Sequence, residues 1–269
     1  MSSLIDDYRQ QSLEARSALP PISHSYGDLP CETVDVFRAR PGSPAHIFIH
    51  GGYWQDLSKE DSSFPALGFA DADVTYIAVD YGLAPQFSLD EIVAQVRRAI
   101  AWVYRNHSTL SIHPERIVVS GSSAGAHLAA MAALTDWSSM GLPANIIRGL
   151  VLLSGIYDLE PLIDTYINKA VGMDGETAHR NSPLRQLGGA PQGLPAIVAW
   201  GENETDAFKA QSRRLAEAWS AVGNPVSCLE APDRNHFDIV HDLSRWDSPL
   251  GSLVQKKSEE WYGNTAQKA

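Results

Sequence analysis

Residues 116–134 read RIVVSGSSAGAHLAAMAAL. A β-branched apolar run typical of a buried strand is followed by Gly121-Ser-Ser-Ala-Gly125 and then by an alanine-rich segment typical of a helix. A serine at the centre of such a strand–turn–helix junction is held in a strained conformation, and glycines two residues away on either side relieve the crowding. The helix N-terminus also favours a developing negative charge. The pattern therefore predicts that Ser123 is a nucleophile.

Short apolar runs alternate with helical patterns along the whole chain. Most of the runs (HIFIH, TYIAV, LVLLS, AIVAW) are continuously apolar, which is typical of strands buried on both faces of a parallel sheet. Ser88-Leu-Asp-Glu91 is a capping box, and helical periodicity follows it. The order predicts a doubly wound, mainly parallel α/β sheet in a single domain. Strands are predicted at 33–37, 45–50, 75–80, 116–120, 149–154, 196–201 and 225–230, and helices at about 2–18, from 89, at 124–134 and at 208–221.

Two segments fall outside this alternation. Residues 1–30 combine a helix with a Pro-Pro turn and form an N-terminal cap segment, and residues 158–195 are rich in Gly, Pro and Asp. Excursions of this kind at the ends of strands usually build the rim of a binding site. The second segment is too short for a domain, so we expect it to form only a small lid.

Composition limits the partners and the location. The net charge is −11 at pH 7, which argues against nucleic acid and anionic membrane as partners, because both require basic patches. The N-terminus has no apolar signal-peptide core, and the two cysteines, Cys31 and Cys228, are expected to be free thiols. We expect a cytoplasmic protein that acts on a small molecule and needs no cofactor. The sequence is compatible with a homodimer.

The donor loop of an acyl-transfer site is predicted at His50-Gly-Gly-Tyr-Trp54, after the strand that reads HIFI. A tetrahedral intermediate needs preorganised N–H donors, and two glycines let the backbone approach its oxygen. We expect an oxyanion hole built from the backbone N–H groups of Gly52, Tyr53 and Ala124. Tyr53 and Trp54 are expected to wall the pocket. His50 is interpreted as a group that holds its own loop rather than as a base or, with His46, as a metal ligand, because no third ligand is in view.

The base and the acid are predicted from their order in the chain, which is Ser, then acid, then His. His236 follows the last predicted strand and is the expected base, whereas His241 is interpreted as a surface histidine. The acid is expected in Gly201-Glu-Asn-Glu-Thr-Asp206. Spacing alone leaves Glu202, Glu204 and Asp206 open. Residues nearest the strand end are best placed, and Asp206 would be close enough to the next helix to cap it, so we favour Glu204 with Asp206 as the alternative.

Three stretches together resemble the kynurenine formamidases (arylformamidases) of the hormone-sensitive-lipase-like branch of the α/β hydrolases. They are His-Gly-Gly-Tyr-Trp at 50–54, Gly-Ser-Ser-Ala-Gly followed by Ala-His-Leu, and Asn-His-Phe-Asp-Ile-Val at 235–240. The resemblance implies the α/β-hydrolase fold. It also supports Glu204, which lies four residues before Phe208. At Ser122 the chain departs from the family's usual sequence around the nucleophile, where a histidine is common. The resemblance places Ser122 in the substrate pocket.

The leading functional hypothesis is hydrolysis of a small aryl amide or ester through an acyl-enzyme, with an N-formyl aryl amide as the first substrate to try. The alternative is a general short-chain carboxylesterase with the same triad and no preference for formyl groups. A remote alternative is a ligand-binding module that keeps the fold without the chemistry. This chain argues against the last, because it retains Ser123, His236 and a carboxylate.

Overall fold

A computed structural model describes residues 2–263 of the chain and the side chains of residues 5–263. Its centre is one eight-stranded sheet in the order β1-β2-β4-β3-β5-β6-β7-β8. The strands are Ile22–Ser25 (β1), Thr33–Phe37 (β2), Ser43–Ile49 (β3), Thr75–Val79 (β4), Ile112–Ser122 (β5), Gly149–Leu153 (β6), Ala196–Gly201 (β7) and Val226–Ala231 (β8). β2 pairs antiparallel with β1 and with β4, and every other pairing is parallel. The mainly parallel sheet predicted from the sequence is confirmed.

Helices cover both faces of this sheet. They are Ser2–Ala18 (α1), Ala66–Asp71 (α2), Leu89–Arg105 (α3), His107–Leu110 (α4), Ala124–Ala133 (α5), Asn168–Val171 (α6), Gly175–Arg180 (α7), Pro183–Gln186 (α8), Asp206–Ala221 (α9) and Pro249–Trp261 (α10). α3, α5 and α9 pack on one face, and α1, α2 and α10 contribute to the core on the other. Alternate residues of the central strands enter the two cores: Ile47 and Ile49 lie on the first side, and Phe48 on the second.

The predicted local signals agree with the structure at several elements. The Ser88 hydroxyl accepts the Glu91 N–H, and the Glu91 carboxylate accepts the Ser88 N–H, so the capping box opens α3. The two cysteines are free. The sequence did not predict the short exposed edge strand β1, the helices α2 and α10, or the one- or two-turn helices α4, α6, α7 and α8. Among the helices described, none is long and apolar enough to cross a bilayer.

The segments outside the alternation lie beside the sheet. Residues 158–195 form short helical turns, including α6, α7 and α8, and no separate sheet. α1 packs against the loop before α2: Ser12 Oγ accepts the N–H groups of Ser63 and Phe64 at 3.0 and 3.1 Å. Further along α1, Arg16 donates to the fully buried carboxylate of Asp35 in β2 at 2.5 Å. A buried acid that receives a charged hydrogen bond of this kind fixes the helix firmly to the sheet.

Candidate active site

Parallel strands bring the site residues to one edge of the sheet, because their carboxyl ends lie side by side. Ile49 at the end of β3 pairs with Gly121 of β5, and Ser122 pairs with Leu153 at the end of β6. The donor loop follows β3, the nucleophile follows β5, the acid follows β7, and the base follows β8. Ligands of open α/β sheets bind outside this edge.

Ser123 occupies a sharp turn between β5 and α5, with φ 56° and ψ −117°. This is the strained nucleophile turn that the motif predicts. The flanking glycines are required by close contacts. A Cβ on Gly121 would lie 2.3 Å from the carbonyl carbon of Gly125, and a Cβ on Gly125 would lie 2.0 Å from the carbonyl oxygen of Ile49. Only residues without a side chain fit at these two positions.

His236 and Glu204 complete a chain of hydrogen bonds that begins at the serine. His236 Nε2 lies 3.0 Å from Ser123 Oγ, and His236 Nδ1 lies 3.1 Å from Glu204 Oε2. Both distances are within the range for a nucleophile, a base and an orienting acid. The ring of Phe208 packs on the imidazole with the centroids 4.1 Å apart. The structure therefore brings together all three residues to which the sequence assigned the catalytic roles.

The Glu204 carboxylate is fully buried and its second oxygen is also engaged. Oε1 accepts the Gly201 N–H at 2.6 Å and a short hydrogen bond from the Ser154 hydroxyl. Sequence reasoning missed Ser154. The signal for it was position, because Ser154 follows β6 at the same sheet edge and lies between the strands that carry the nucleophile and the acid.

The other two acidic candidates face elsewhere. Asp206 is exposed as the first residue of α9, and the helix cap suggested for it is wrong, because Thr205 is the N-cap and accepts the Phe208 N–H. Glu202 is also exposed and accepts the Asp233 N–H at 3.0 Å, which ties down the turn before His236. Neither of these carboxylates is hydrogen-bonded to the imidazole within the described residues.

The rival histidines are structural. His241, interpreted from the sequence as a surface histidine, is half-buried beneath α1, and its ring lies 5.1 Å from that of Tyr8 and 4.9 Å from that of Phe64. His50 is buried and hydrogen-bonds the Gly51 carbonyl through Nδ1 at 2.9 Å, as its interpretation as a loop anchor requires. His46 Nε2 is hydrogen-bonded to Ser120 Oγ at 2.7 Å. Within residues 2–263, no three His, Cys, Asp or Glu side chains are placed to hold a metal ion.

The donor loop lies directly against the nucleophile. A Cβ on Gly51 would be only 3.3 Å from Ser123 Cβ. Gly52, Tyr53 and Trp54 have φ values of 96°, 51° and 61°, so three consecutive residues adopt the left-handed region. Such backbone costs about 1–3 kcal/mol for each residue that is not glycine, so the loop needs support from its surroundings. The N–H groups of Gly52, Tyr53 and Ala124 have no acceptor within the described chain, which leaves these three predicted donors available.

A cavity of about 560 Å³ opens over Ser123. Tyr53 and Ser122 line it, as predicted, but Trp54 does not. That prediction is wrong, because the left-handed turn directs the indole into the core, where it is fully buried. Seven of the 21 residues that line the cavity are aromatic. Ser62 and Phe64 come from the loop before α2, which the sequence did not connect to the site. The aromatic lining consists of Tyr8, Phe48, Tyr53, Phe64, Tyr166, Phe208 and Phe237.

Residues 1–30 and residues 158–195, the two segments outside the strand–helix alternation, both contribute to this cavity. α1 supplies Ile5 and Tyr8, and the Tyr8 hydroxyl donates a short hydrogen bond to the Phe237 carbonyl, next to His236. The segment 158–195 supplies Tyr166, which is 72% exposed at the rim. Burial, together with the neighbouring Tyr166, raises the pKa of the Tyr53 phenol, which therefore stays neutral.

Comparison with known proteins agrees with this geometry. A family model described as an alpha/beta hydrolase fold matches residues 46–239. The chain belongs to the alpha/beta hydrolase fold family. This hydrolase is 38% identical to the kynurenine formamidase of Danio rerio over 237 residues, which cover 86% of this chain and 79% of that protein. The kynurenine formamidase of Salmo salar is also 38% identical, with the same coverage.

Solved structures show the same architecture. A putative thioesterase from Silicibacter sp. TM1040 superposes on this hydrolase with a TM-score of 0.80 and 26% identity, over 94% of this chain and 93% of the other. A Pyrobaculum calidifontis esterase gives a TM-score of 0.73 at 18% identity, over 97% and 92% of the two chains. The resemblance noted in the sequence is therefore confirmed at the level of family and fold.

Proposed function

We propose that this hydrolase cleaves a small aryl amide or ester through an acyl-enzyme intermediate, with N-formyl aryl amides as its preferred substrates. The observation that carries the proposal is the hydrogen-bonded chain Ser123–His236–Glu204 at the floor of a cavity with an aromatic wall. Its similarity to two kynurenine formamidases supports the formyl preference.

The geometry supports a two-step acyl transfer. His236 accepts the Ser123 proton through Nε2 as the serine oxygen attacks the carbonyl carbon, and Glu204 stabilises the imidazolium through Nδ1. The N–H groups of Gly52, Tyr53 and Ala124 are the proposed donors to the oxyanion. The intermediate collapses when the imidazolium protonates the leaving amine or alcohol. A water molecule, deprotonated by the same imidazole, then cleaves the acyl-enzyme to a carboxylic acid and free serine.

The aromatic wall accounts for an aryl leaving group. Tyr53, Phe208 and Phe237 surround the space above the nucleophile, where aromatic rings gain stacking and edge contacts beyond simple burial. A small molecule is thus the proposed partner. We also place the protein in the cytoplasm, a proposal supported by its free cysteines and its acidic composition.

A general short-chain carboxylesterase is the second candidate, and one observation favours it. The cavity of about 560 Å³ is much larger than a formyl group needs, so acyl groups of several carbons have space if they can reach Ser123. The solved structures at 18–20% identity share only the fold and do not decide between the two activities.

A graded acyl series separates the two candidates. p-Nitrophenyl formate, acetate, butyrate and hexanoate would be compared by kcat/KM, alongside N-formylkynurenine and an aryl acetamide, with Ser123→Ala as the blank. We expect the rate to fall steeply beyond the formyl and acetyl esters and N-formylkynurenine to be cleaved. Rates that stay level or rise up to butyrate would favour the carboxylesterase.

A further inference from the structure

Trp54 and His127 form a buried hydrogen-bonded pair that joins the donor loop to the nucleophile helix. Trp54 is the last residue of the loop Gly51–Trp54, and His127 lies on α5, one turn after Ser123. The Trp54 indole N–H donates to His127 Nδ1 at 3.2 Å, and the two rings are nearly perpendicular, with centroids 5.1 Å apart. Both side chains are fully buried. Neither residue belongs to the hydrogen-bonded chain Ser123–His236–Glu204.

The second ring nitrogen of His127 fixes the proton on the first. Nε2 lies 2.7 Å from the backbone carbonyl of Asn181, which can only accept, so the proton must be on Nε2. Nδ1 then has a free lone pair that faces the indole N–H, which can only donate. Burial lowers the pKa of His127 to about 4, so the ring is neutral near neutral pH. The indole N–H, the imidazole and the Asn181 carbonyl can therefore pair in only one way: the indole donates to Nδ1, and Nε2 donates to the carbonyl.

The chain of contacts is anchored at both ends. The N–H of His127 bonds the carbonyl of Ser123 at 3.2 Å, within the first turn of α5. Asn181, in the segment 158–195, is itself fixed by a 2.8 Å hydrogen bond from its side chain to Asp90 of α3. On the loop side, the carbonyl of Trp54 accepts the Ala84 N–H at 2.8 Å. The indole is thus attached to the helix that presents the nucleophile.

The donor loop requires such an attachment because of its backbone. Tyr53 and Trp54 carry large side chains at φ values of 51° and 61°, where residues other than glycine are disfavoured. Without a restraint on the indole, the loop would relax toward negative φ, and the Tyr53 N–H would rotate away from the space beside Ser123. Oxyanion donors act only when they are held within a few tenths of an ångström of the developing charge.

We propose that Trp54 and His127 are positioning residues that hold the Tyr53 and Gly52 N–H groups in register with Ser123. The inference rests on the proposed acyl-transfer function of the site. It predicts that loss of the indole–imidazole hydrogen bond reduces transition-state stabilisation while substrate binding in the aromatic cavity is retained. A purely structural role in the core would instead lower stability and leave the catalytic constants of the folded protein unchanged.

The test compares Trp54→Phe with Trp219→Phe in the full chain. Trp219 lies on α9, away from the site, and is also fully buried. Its indole also makes one hydrogen bond, to the carbonyl of Leu194 at 3.0 Å. For Trp54→Phe we expect kcat to fall about 10- to 100-fold, below the 10²–10³-fold loss of a whole donor, with KM changed less than about threefold. For Trp219→Phe we expect the same kcat as for the wild type at a temperature where both are folded.

A tetrahedral adduct provides the readout that a structural role would not change. An aryl trifluoromethyl ketone adds to Ser123 and places its oxyanion in the hole, so its inhibition constant should rise in Trp54→Phe by the same factor by which kcat/KM falls. If the inhibition constant and kcat/KM of Trp54→Phe both match those of Trp219→Phe, the positioning role is refuted. If Trp54→Phe does not fold, 3-benzothienylalanine at position 54 removes only the N–H at constant shape, and the same two outcomes apply.

Conservative replacement of the acceptor completes the design. His127→Gln retains an acceptor for the indole and a donor for Asn181, so it should keep at least about ten times the kcat of His127→Leu. Equal kcat values for the two folded variants would overturn the proposal. The wild type is assayed first: if it cleaves neither aryl formamides nor esters, the proposed function itself fails. An active wild type with an unaffected Trp54 variant refutes the positioning role alone.

Discussion

Replacing Glu204 with glutamine tests how the buried acid controls His236. Glutamine has nearly the same shape but one of its two terminal atoms is an NH₂ group. In the structure, the carboxylate faces His236 Nδ1 at 3.1 Å through one oxygen and the Gly201 N–H at 2.6 Å through the other. Both neighbours donate to a carboxylate, so one of them must face the new NH₂ group in the variant.

The size of the effect follows from which neighbour loses its acceptor. If the NH₂ group faces the imidazole, His236 must carry its proton on Nε2, and Nε2 can no longer accept the proton of Ser123. A wrong tautomer of this kind lowers kcat by about 10⁴ in a serine triad. If the NH₂ group faces Gly201 instead, two donors meet in a buried site, which costs about 1–3 kcal/mol of stability. We therefore expect kcat to fall about 10³- to 10⁴-fold, or about 4–5.5 kcal/mol in activation free energy.

The assay measures kcat and KM on the best aryl ester, with melting temperatures to show that each variant is folded. Asp206→Asn is the matched control, because Asp206 is exposed at the start of α9, and its kcat should stay within about twofold of the wild-type value. Three outcomes would contradict the reasoning: a Glu204→Gln variant with more than a tenth of wild-type kcat, a larger loss in Asp206→Asn, or equal losses in both.

Three further predictions concern the serine, the donor loop and a buried histidine. Ser123→Ala should lower kcat about 10⁶-fold if the triad acts as a unit, and wild-type turnover by that variant would exclude Ser123 as the nucleophile. Gly52→Ala should abolish most turnover, because its Cβ would lie 2.1 Å from the Asp56 carbonyl at a φ of 96°; an active, folded variant would show that the loop does not supply donors. Burial lowers the pKa of His46 to about 3, below its ordinary 6.5. Between these values only the unfolded chain binds the proton, so the free energy of unfolding should fall as the pH falls from about 6.5, and urea titrations of His46→Gln should show a smaller pH slope than the wild type.

The fold was predictable where one physical signal dominated. Strand β4 is buried at all five positions, and its sequence is a continuous apolar run, as a strand covered on both faces must be. β1 was missed because Ile22–Ser25 is an exposed edge strand with no apolar run to mark it. Its pairing with β2 depends on the position of the partner rather than on its own sequence.

The residues located by motif and chain order were predictable, whereas the residues that tertiary packing brings to the cavity were not. Motif and chain order located Ser123 and His236, because each follows a strand whose carboxyl end lies at the edge of the sheet that carries the site. The sequence placed residues 1–30 and 158–195 at the rim of the site, but no spacing singled out Tyr8 and Tyr166 as the residues that line the cavity. Trp54 was misassigned because its neighbours in sequence line the cavity, whereas the direction of its side chain depends on a backbone φ that the sequence does not reveal.

The distribution of backbone strain explains why the sequence did not reveal these side-chain directions. Eight residues other than glycine have positive φ in the described chain, and six of them surround the site. These six are Tyr53, Trp54, Leu57, Ser123, Ser154 and Asp233. At about 1–3 kcal/mol each, such residues would together cost a large part of the stability of an ordinary domain, so surrounding contacts must stabilise each of them. The bonds that do so include Ser154 to Glu204, Asp233 to Glu202, and Trp54 to His127. The groups that position the chemistry are therefore also the groups that offset its strain, and a substitution that weakens one of these bonds should change catalysis and stability together.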